Sequence, residues 1–365
     1  MTTRLRLTRP AWQTLLEKVD PERSRLNWRV RLSYGLSSAA YSLLLKLQNA
    51  AFAEALESAS PSPPLFILGF WRSGTTFLHE LFCCDSRFGF PSTYACLNPS
   101  HFLLTESFVR ERNAQPLARR PMDDVRYSWL SPQEDEFALL DLGAPSPYQA
   151  LLVPSLMRDP YSLLDPSRSD PETRIRWTET LQQFLRMLTV QQNKAIVLKS
   201  PSHGFKLPEL APAFPQARYV IIERNPYEVF ASNLKLWRTL LEMYSWETFS
   251  SAEIESFVLA AYVIHEQLIV QGASRMRAGS LARVRYEDLV ADPVGQMERL
   301  YSELELEDFR FVRPGVEQHV ANVSGHQRNR FSLLPAQKAR VDEQWGAIIR
   351  GKGYDRVGEY VAFAG

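Results

Sequence analysis

One short stretch restricts the fold of this chain more than any other. Leu65-Phe66-Ile67-Leu68-Gly69 is a continuous apolar run, and Phe70-Trp71-Arg72-Ser73-Gly74 follows it directly. Such a run is consistent with a strand buried on both faces of a parallel sheet. Thr75 to Cys84 then reads as a helix. Two glycines at G-x-x-x-x-G spacing between strand and helix let the backbone turn tightly about an anion. The N–H groups of Ser73 to Thr76 would point at its oxygens, with the helix N-terminus and the hydroxyls of Ser73, Thr75 and Thr76 adding to the cradle. A plain strand-to-helix turn capped by Thr75 fits the same residues, so the loop alone leaves both readings open.

The rest of the chain repeats the alternation. Ala195–Lys199 (AIVLK), Arg218–Glu223 (RYVIIE) and Leu281–Arg285 read as further strands, and helices are expected over Arg174–Gln192, Tyr227–Leu241, Glu253–Gly272 and through the C-terminal part. This predicts an α/β fold: a parallel sheet of about five strands flanked by helices, with ligands at the carboxyl ends of the strands. The linker Ser58–Pro64 separates an N-terminal helical extension, residues 1–60, from the main domain, residues 61–365. Within the extension, Leu36, Ala40, Leu43, Leu47 and Leu56 fall at helical spacing. Packing of that face on the core is the expected arrangement. A surface that touches membrane or covers an apolar acceptor is the alternative. Residues 91–171, rich in Pro, Ser and Asp, read as an insertion of short helices and substrate-facing segments, too long for idle loop.

Composition narrows the partners. The 42 Lys and Arg are balanced by 41 Asp and Glu, a net charge of +1. No global field recruits nucleic acid, so any anion site is a local cluster. Cys83, Cys84 and Cys96 form no disulfide framework, and CxxC is absent, so a reducing, cytoplasmic setting is expected; no metal is expected in the site. The basic N-terminus is followed by no apolar h-region, which argues against a signal peptide, and Leu32–Leu45 is too short to span a bilayer.

Two features of the first and third strands bear on chemistry. A nucleoside-triphosphatase loop carries Lys directly after its second glycine. Here that position is Thr75, the cation Arg72 lies inside the loop, and no strand clearly ends in an Asp suited to Mg²⁺. The third strand ends in Arg224-Asn225-Pro226, and the following helix carries Ser232, so Arg224 and Ser232 could reach one phosphate. An ion pair of Arg224 with Glu223 or Glu228 fits equally well.

Taken together, GFWRSGTTFLHELF and RYVIIERNPYEVFASNLKLW resemble the 5′-phosphosulfate loop and the 3′-phosphate motif of sulfotransferases that use 3′-phosphoadenosine 5′-phosphosulfate (PAPS). RPMDDV, SPQEDEFALL, IVLKSPSH, VRYEDLVADP and WGAIIRGKGY resemble the bacterial-type branch of that superfamily, so the likeness runs from about Leu65 to Tyr354. It implies a P-loop-like sulfotransferase fold. Arg72, Ser73, Gly74, Thr75 and Thr76 would hold the 5′-phosphosulfate, Phe77 the adenine, Arg224 and Ser232 the 3′-phosphate, and Tyr286 the nucleoside. Arg328, in HQRNR, would be a further phosphate contact, on a looser alignment. Lys199 matches the catalytic Lys, and with Arg72 would meet the charge on the leaving oxygen.

The general base does not carry over. Cytosolic relatives place His two residues after the Lys, where this chain has Pro201. The dense acidic cluster Glu134-Asp135-Glu136 is the first candidate, through Glu136 or Glu134, and His203 the next. His79 reads better as a structural residue. The resemblance implies an acceptor hydroxyl or amine on a small molecule, lipid or glycan, and the N-terminal apolar face leans towards an apolar one. The competing readings are a P-loop small-molecule kinase and a non-catalytic nucleotide-binding relative.

Overall fold

The computed structural model describes residues 5–112, 128–323 and 333–355. Five parallel strands, β1 (Leu65–Leu68), β2 (Phe88–Gly89), β3 (Ala195–Lys199), β4 (Arg218–Glu223) and β5 (Leu281–Arg285), form one sheet in the order β2-β3-β1-β4-β5. The first loop leads into α4 (Thr75–Phe82), after the N-terminal helices α1 (Arg9–Glu17), α2 (Trp28–Ala51) and α3 (Ala53–Ser58). Between β2 and β3 run α5 (Thr93–Leu97), α6 (Phe102–Arg112), α7 (Glu136–Leu142), α8 (Gln149–Leu152), α9 (Pro160–Leu164) and the long α10 (Pro171–Gln192). Then come α11 (Leu207–Ala213), α12 (Pro226–Tyr244), α13 (Ser251–Ala273), α14 (Tyr286–Ala291), α15 (Pro293–Glu303), α16 (Arg313–Val323) and α17 (Pro335–Gly351).

Side-chain alternation divides the strands between two cores. Phe66, Leu68, Ile196, Leu198, Tyr219 and Ile221 face Trp177, Leu181 and Phe184 of α10 and Leu207 and Leu210 of α11. Leu65, Ile67, Val197, Val220, Ile222 and Val284 face Leu78 and Leu81 of α4 and Met297 and Leu300 of α15. Both faces are covered, which is why β1, β3 and β4 read as unbroken apolar runs. Edge strand β5 alternates buried and exposed residues. Phe70 and Trp71, just past β1, open a third core shared with α1, α12, α13 and α17.

Helix starts follow local chemistry. Asp170 caps α10 by accepting from Thr173 N, with Pro171 at the first helical position. Ser250 and Glu253 form a reciprocal capping box on α13. Asn225 caps α12 ahead of Pro226. The four strands expected from sequence are present. β2 is a two-residue edge strand with no pattern to betray it. Much of the segment read as an insertion is interior: Ala138 to Asp141 and Ala150 to Val153 are buried.

The N-terminal helices correct one expectation. They do pack on the body of the molecule, but not through the stripe picked out above. Trp12 of α1 stacks on Tyr34 of α2 at 5.1 Å, and both meet the edge of Trp246. Further along α2, Tyr41 stacks on His101, and Gln48 donates to Pro99 O and accepts from Leu103 N. Leu56 of α3 is partly buried. Leu36, Leu43 and Leu47 are 66%, 58% and 52% exposed, and Ala40 is exposed as well. The helix is apolar on two opposite sides, and burial took the side carrying Tyr34, Ser38, Leu45 and Gln48.

A truncation pair tests this orientation. Tyr34→Ala should lower the urea-unfolding free energy by about 3 kcal/mol, as expected for removing a buried aromatic. Leu43→Ala, on the opposite side, should change it by less than about 0.5 kcal/mol.

Candidate active site

Four strand ends supply the site. Gly69 follows β1, Lys199 closes β3, Arg224 follows β4 and Tyr286 follows β5. The loop from Gly69 to Gly74 has two left-handed residues, Arg72 (φ 69°) and Gly74 (φ 103°). That alternation turns successive N–H groups towards a common concavity, the geometry of an anion nest. A Cβ on Gly74 would lie 2.3 Å from the Tyr286 ring, and one on Gly69 would lie 2.8 Å from Ile222 O, so neither position accepts a side chain without movement. The Ser73 hydroxyl is buried with no hydrogen-bond partner among the described residues. A hydroxyl left unpaired in the interior costs free energy until an acceptor meets it.

The two segments singled out from sequence meet here. Arg72 Nε donates to Ser232 Oγ at 2.9 Å across 160 residues of chain. Arg224 Nη1 donates to Arg72 O at 3.2 Å, and its guanidinium lies 4.5 Å from the Tyr286 ring centroid. It also pairs with Glu228 one helical turn on, at 2.5 Å, the ion pair that the sequence left open. Asn233, next to Ser232, donates to Trp71 O at 2.8 Å and clamps the loop. Sequence reading passed over that contact, which no local pattern announces. Phe77 is partly exposed and stacks loosely on His319. Thr75 is buried at the start of α4 and Thr76 is half-buried. Arg328 lies outside the described residues, as does the RPMDDV stretch.

A second cluster adjoins the loop. Lys199 is almost wholly buried, and its Nζ donates to Glu134 Oε1 at 2.9 Å. Glu134 accepts on its other oxygen from Tyr148 Oη, which in turn accepts from Trp71 Nε1 at 3.3 Å. Burial, then the Glu134 charge, pushes the Tyr148 phenol well above its usual pKa, so it remains a donor to Glu134. Trp71 and Arg72 are consecutive, so this chain of contacts joins the Lys199–Glu134 pair to the anion nest.

The other expected bases are buried beside it. Asp135, Glu136 and His203 have no exposed surface. His203 Nε2 lies 2.8 Å from Asp135 Oδ2, an ion contact outside hydrogen-bond geometry. Burial opposes a charge on His203. The Asp135 carboxylate, with Glu136 and Glu134 beyond it, outweighs that effect and raises its pKa. Glu136 and Lys206 complete the buried group, with Lys206 over the Trp177 ring. Of the three candidates, Glu134 is the one in contact with Lys199; Glu136 and His203 lie among the segments that support it. His79 is buried, and burial and the Lys199 charge hold its pKa well below the usual value, so it stays neutral.

With this geometry in view, the likeness to known proteins is specific. The family model described as "Sulfotransferase family" matches residues 63–310. The chain belongs to the sulfotransferase family. It is 35% identical over 347 residues, 95% of this chain and 89% of the relative, to omega-hydroxy-beta-dihydromenaquinone-9 sulfotransferase Stf3 of Mycobacterium bovis, and equally to Stf3 of Mycobacterium tuberculosis. In fold it is similar to sulfotransferase STF9 from Mycobacterium avium (TM-score 0.71, 18% identity, 98% of this chain and 94% of that one). A further likeness is to STF1 from Mycobacterium tuberculosis (TM-score 0.67, 20% identity, 93% and 92%).

This sulfotransferase therefore has the α/β architecture expected of it, with PAPS as the sulfuryl donor that the family implies. The residues present fit that donor: a left-handed nest with an unpaired Ser73 hydroxyl, flanked by Arg72 and Arg224. No described helix is long and apolar enough to cross a membrane.

Glu136 gives a test of the buried group. Burial pushes its pKa from the ordinary 4.5 up to about 7, against the pull of His203. The native state thus favours the protonated acid. Its contribution to stability is full below about pH 4.5 and is lost as pH rises through about 7. Glu136→Gln should gain up to about 3 kcal/mol over the natural chain at about pH 8, and little at about pH 4.5, by urea denaturation. The same difference at both pH values would mean that Glu136 is ionised throughout.

Proposed function

We propose that this enzyme transfers the sulfuryl group of PAPS to a hydroxyl of a lipid acceptor, with Glu134 as general base. The observation that carries the reading is the Lys199–Glu134 contact, linked through Tyr148 to Trp71 and hence to the loop at Arg72. In this reading it is a base beside a cation, connected to an anion cradle.

In this reading the backbone and hydroxyls of Ser73 to Thr76, with Arg72, take the 5′-phosphosulfate. Arg224 and Ser232 take the 3′-phosphate, whose oxygens compete with Glu228 for the Arg224 fork. Tyr286 and Phe77 flank the nucleoside. Bound PAPS supplies an activated sulfuryl group. As the acceptor oxygen bonds to sulfur and the bond from sulfur to the phosphate oxygen breaks, Glu134 takes the acceptor proton. Lys199 and Arg72 meet the charge left on the departing phosphate, so these cations do the neutralising without a metal. Tyr148 aims the Glu134 carboxylate and keeps one of its oxygens occupied.

Two observations support a lipid acceptor. The relative at 35% identity is named for a sulfotransfer to a dihydromenaquinone, and α2 leaves an apolar stripe uncovered. The setting proposed is cytoplasmic and peripheral to the membrane. Nucleic acid is not proposed as a partner, because basic and acidic residues nearly cancel.

Donor binding is tested by melting with adenosine 3′,5′-bisphosphate, set against ADP and against ATP with Mg²⁺. A ligand of the native state raises the melting temperature by mass action. The bisphosphate alone should do so. Arg224→Ala should weaken its binding about 10- to 100-fold, as loss of charge-assisted hydrogen bonds predicts. A shift confined to ATP with Mg²⁺ would sink the donor assignment and favour the kinase reading.

The base is tested separately. Glu134→Gln should lower kcat by about 10²- to 10⁴-fold with an omega-hydroxylated menaquinone acceptor, leaving bisphosphate affinity within about threefold. Turnover that survives the substitution would move the base elsewhere. No turnover by the natural chain on any hydroxyl acceptor, despite tight bisphosphate binding, would favour a non-catalytic relative.

A further inference from the structure

The uncovered side of α2 is continuous. Trp28, Leu32, Leu36, Leu43 and Leu47 are each more than half exposed, at 69%, 53%, 66%, 58% and 52%. Ala39, Ala40 and Ala50 are exposed between and beside them. At 100° per residue these side chains fall on one face, opposite Tyr34, Ser38 and Gln48, which α2 buries. The stripe runs roughly 28 Å along the helix axis, from the 1.5 Å rise per residue. A monomer rarely leaves so long a row of large apolar side chains in water without a partner for it.

Charge says which partner. Between Arg23 and Ala53 the chain has no Asp or Glu. Arg25, Arg29, Arg31 and Lys46 are exposed along the same stretch, while Arg23 is neutralised by Glu253. Two copies meeting through this face would bring like charges together. An anionic bilayer would attract them, and the long Arg and Lys stems can lie along the acyl boundary with their charges at the headgroups.

We propose that α2 docks this enzyme, parallel to the surface, on a bilayer containing anionic lipid. Its apolar stripe enters the headgroup–acyl boundary and its cations meet the lipid phosphates. Placement gives the contact a use. Through α1, the α1–α2 hairpin rests on the segments that carry Glu134 and Tyr148: Thr8 N donates to Asp141 O at 2.8 Å, and Lys18 Nζ to Gln149 Oε1 at 2.8 Å. A chain held by α2 therefore holds its acid–base cluster close to the lipid from which an apolar acceptor would come. This deepens the lipid-acceptor reading and rests on it for its purpose. Binding is measured without donor or acceptor, however, so the two can fail separately.

Co-sedimentation with vesicles tests it. The probes are vesicles of equimolar phosphatidylglycerol and phosphatidylcholine, and vesicles of phosphatidylcholine alone. The natural chain should sediment with the anionic vesicles, and less in high salt. Leu36→Glu with Leu43→Glu should cut the partition coefficient at least tenfold. Arg29→Gln with Arg31→Gln should cut it severalfold on anionic vesicles and little on neutral ones. All these side chains are exposed, and an unchanged melting shift with adenosine 3′,5′-bisphosphate would certify each variant as folded. Failure of the natural chain to sediment, or equal sedimentation by the Leu variant, would overturn the proposal. So would light scattering that finds a dimer of the natural chain and a monomer of the Leu variant, which would assign the face to a second copy.

Discussion

Every pairing in the sheet is parallel, so β1, β3, β4 and β5 all deliver their carboxyl ends to one edge. The site depends on that constraint. Gly69, Lys199, Arg224 and Tyr286 lie far apart in sequence, and each is the last residue of its strand or the first beyond it. The register that pairs Ile67 with both Lys199 and Val220 brings the β3 and β4 exits alongside the first loop. An antiparallel neighbour would have sent one of these residues to the far edge. The apolar faces that hold the strands together therefore also set the distances among the polar groups at their ends.

Beneath that edge lies a block of charge. Lys199 and Glu134, then Asp135, His203, Glu136 and Lys206, are packed with little or no exposure. Removing so many charges from water is costly, and apolar replacements of such groups are often neutral or stabilising. Stability is a poor reason for keeping the block. Positioning is a better one. Asp135 and Glu136 follow Glu134 directly, so fixing them against the segment after β3 fixes the carboxylate that touches Lys199. A helix turn sends consecutive side chains about 100° apart, which lets three neighbouring acids take different tasks.

That same turn explains what the sequence could and could not reveal. Strands β1, β3 and β4 were legible because burial on both faces leaves a continuous apolar signature, and glycine or proline punctuates their ends. β2 is two residues long and carries no signature. Arg72, Arg224 and Ser232 were legible as polar residues near strand ends, but the 2.9 Å contact between residues 72 and 232 exists only once the sheet has formed. The acidic cluster was legible as a cluster. Which of its members meets Lys199 depends on rotation about the start of α7, and no periodicity encodes that. Tyr148 gave no signal at all: a tyrosine among apolar neighbours reads as core until its hydroxyl finds Glu134. On α2 the spacing was right and the side was wrong, because a helix apolar on two faces does not declare which one its neighbours will cover.

The left-handed backbone at Arg72 has a mechanical consequence. It sends two consecutive side chains to different halves of the molecule, Trp71 to Tyr148 and Arg72 to Ser232. A single peptide unit thereby joins the contact at Ser232 to the contacts at Tyr148 and Glu134. The peptide itself is planar and stiff, so any independent movement of the two side chains must come from the φ and ψ rotations on either side of it. Any coupling that passes through this peptide is reciprocal: whatever one contact lends to the other, it receives back.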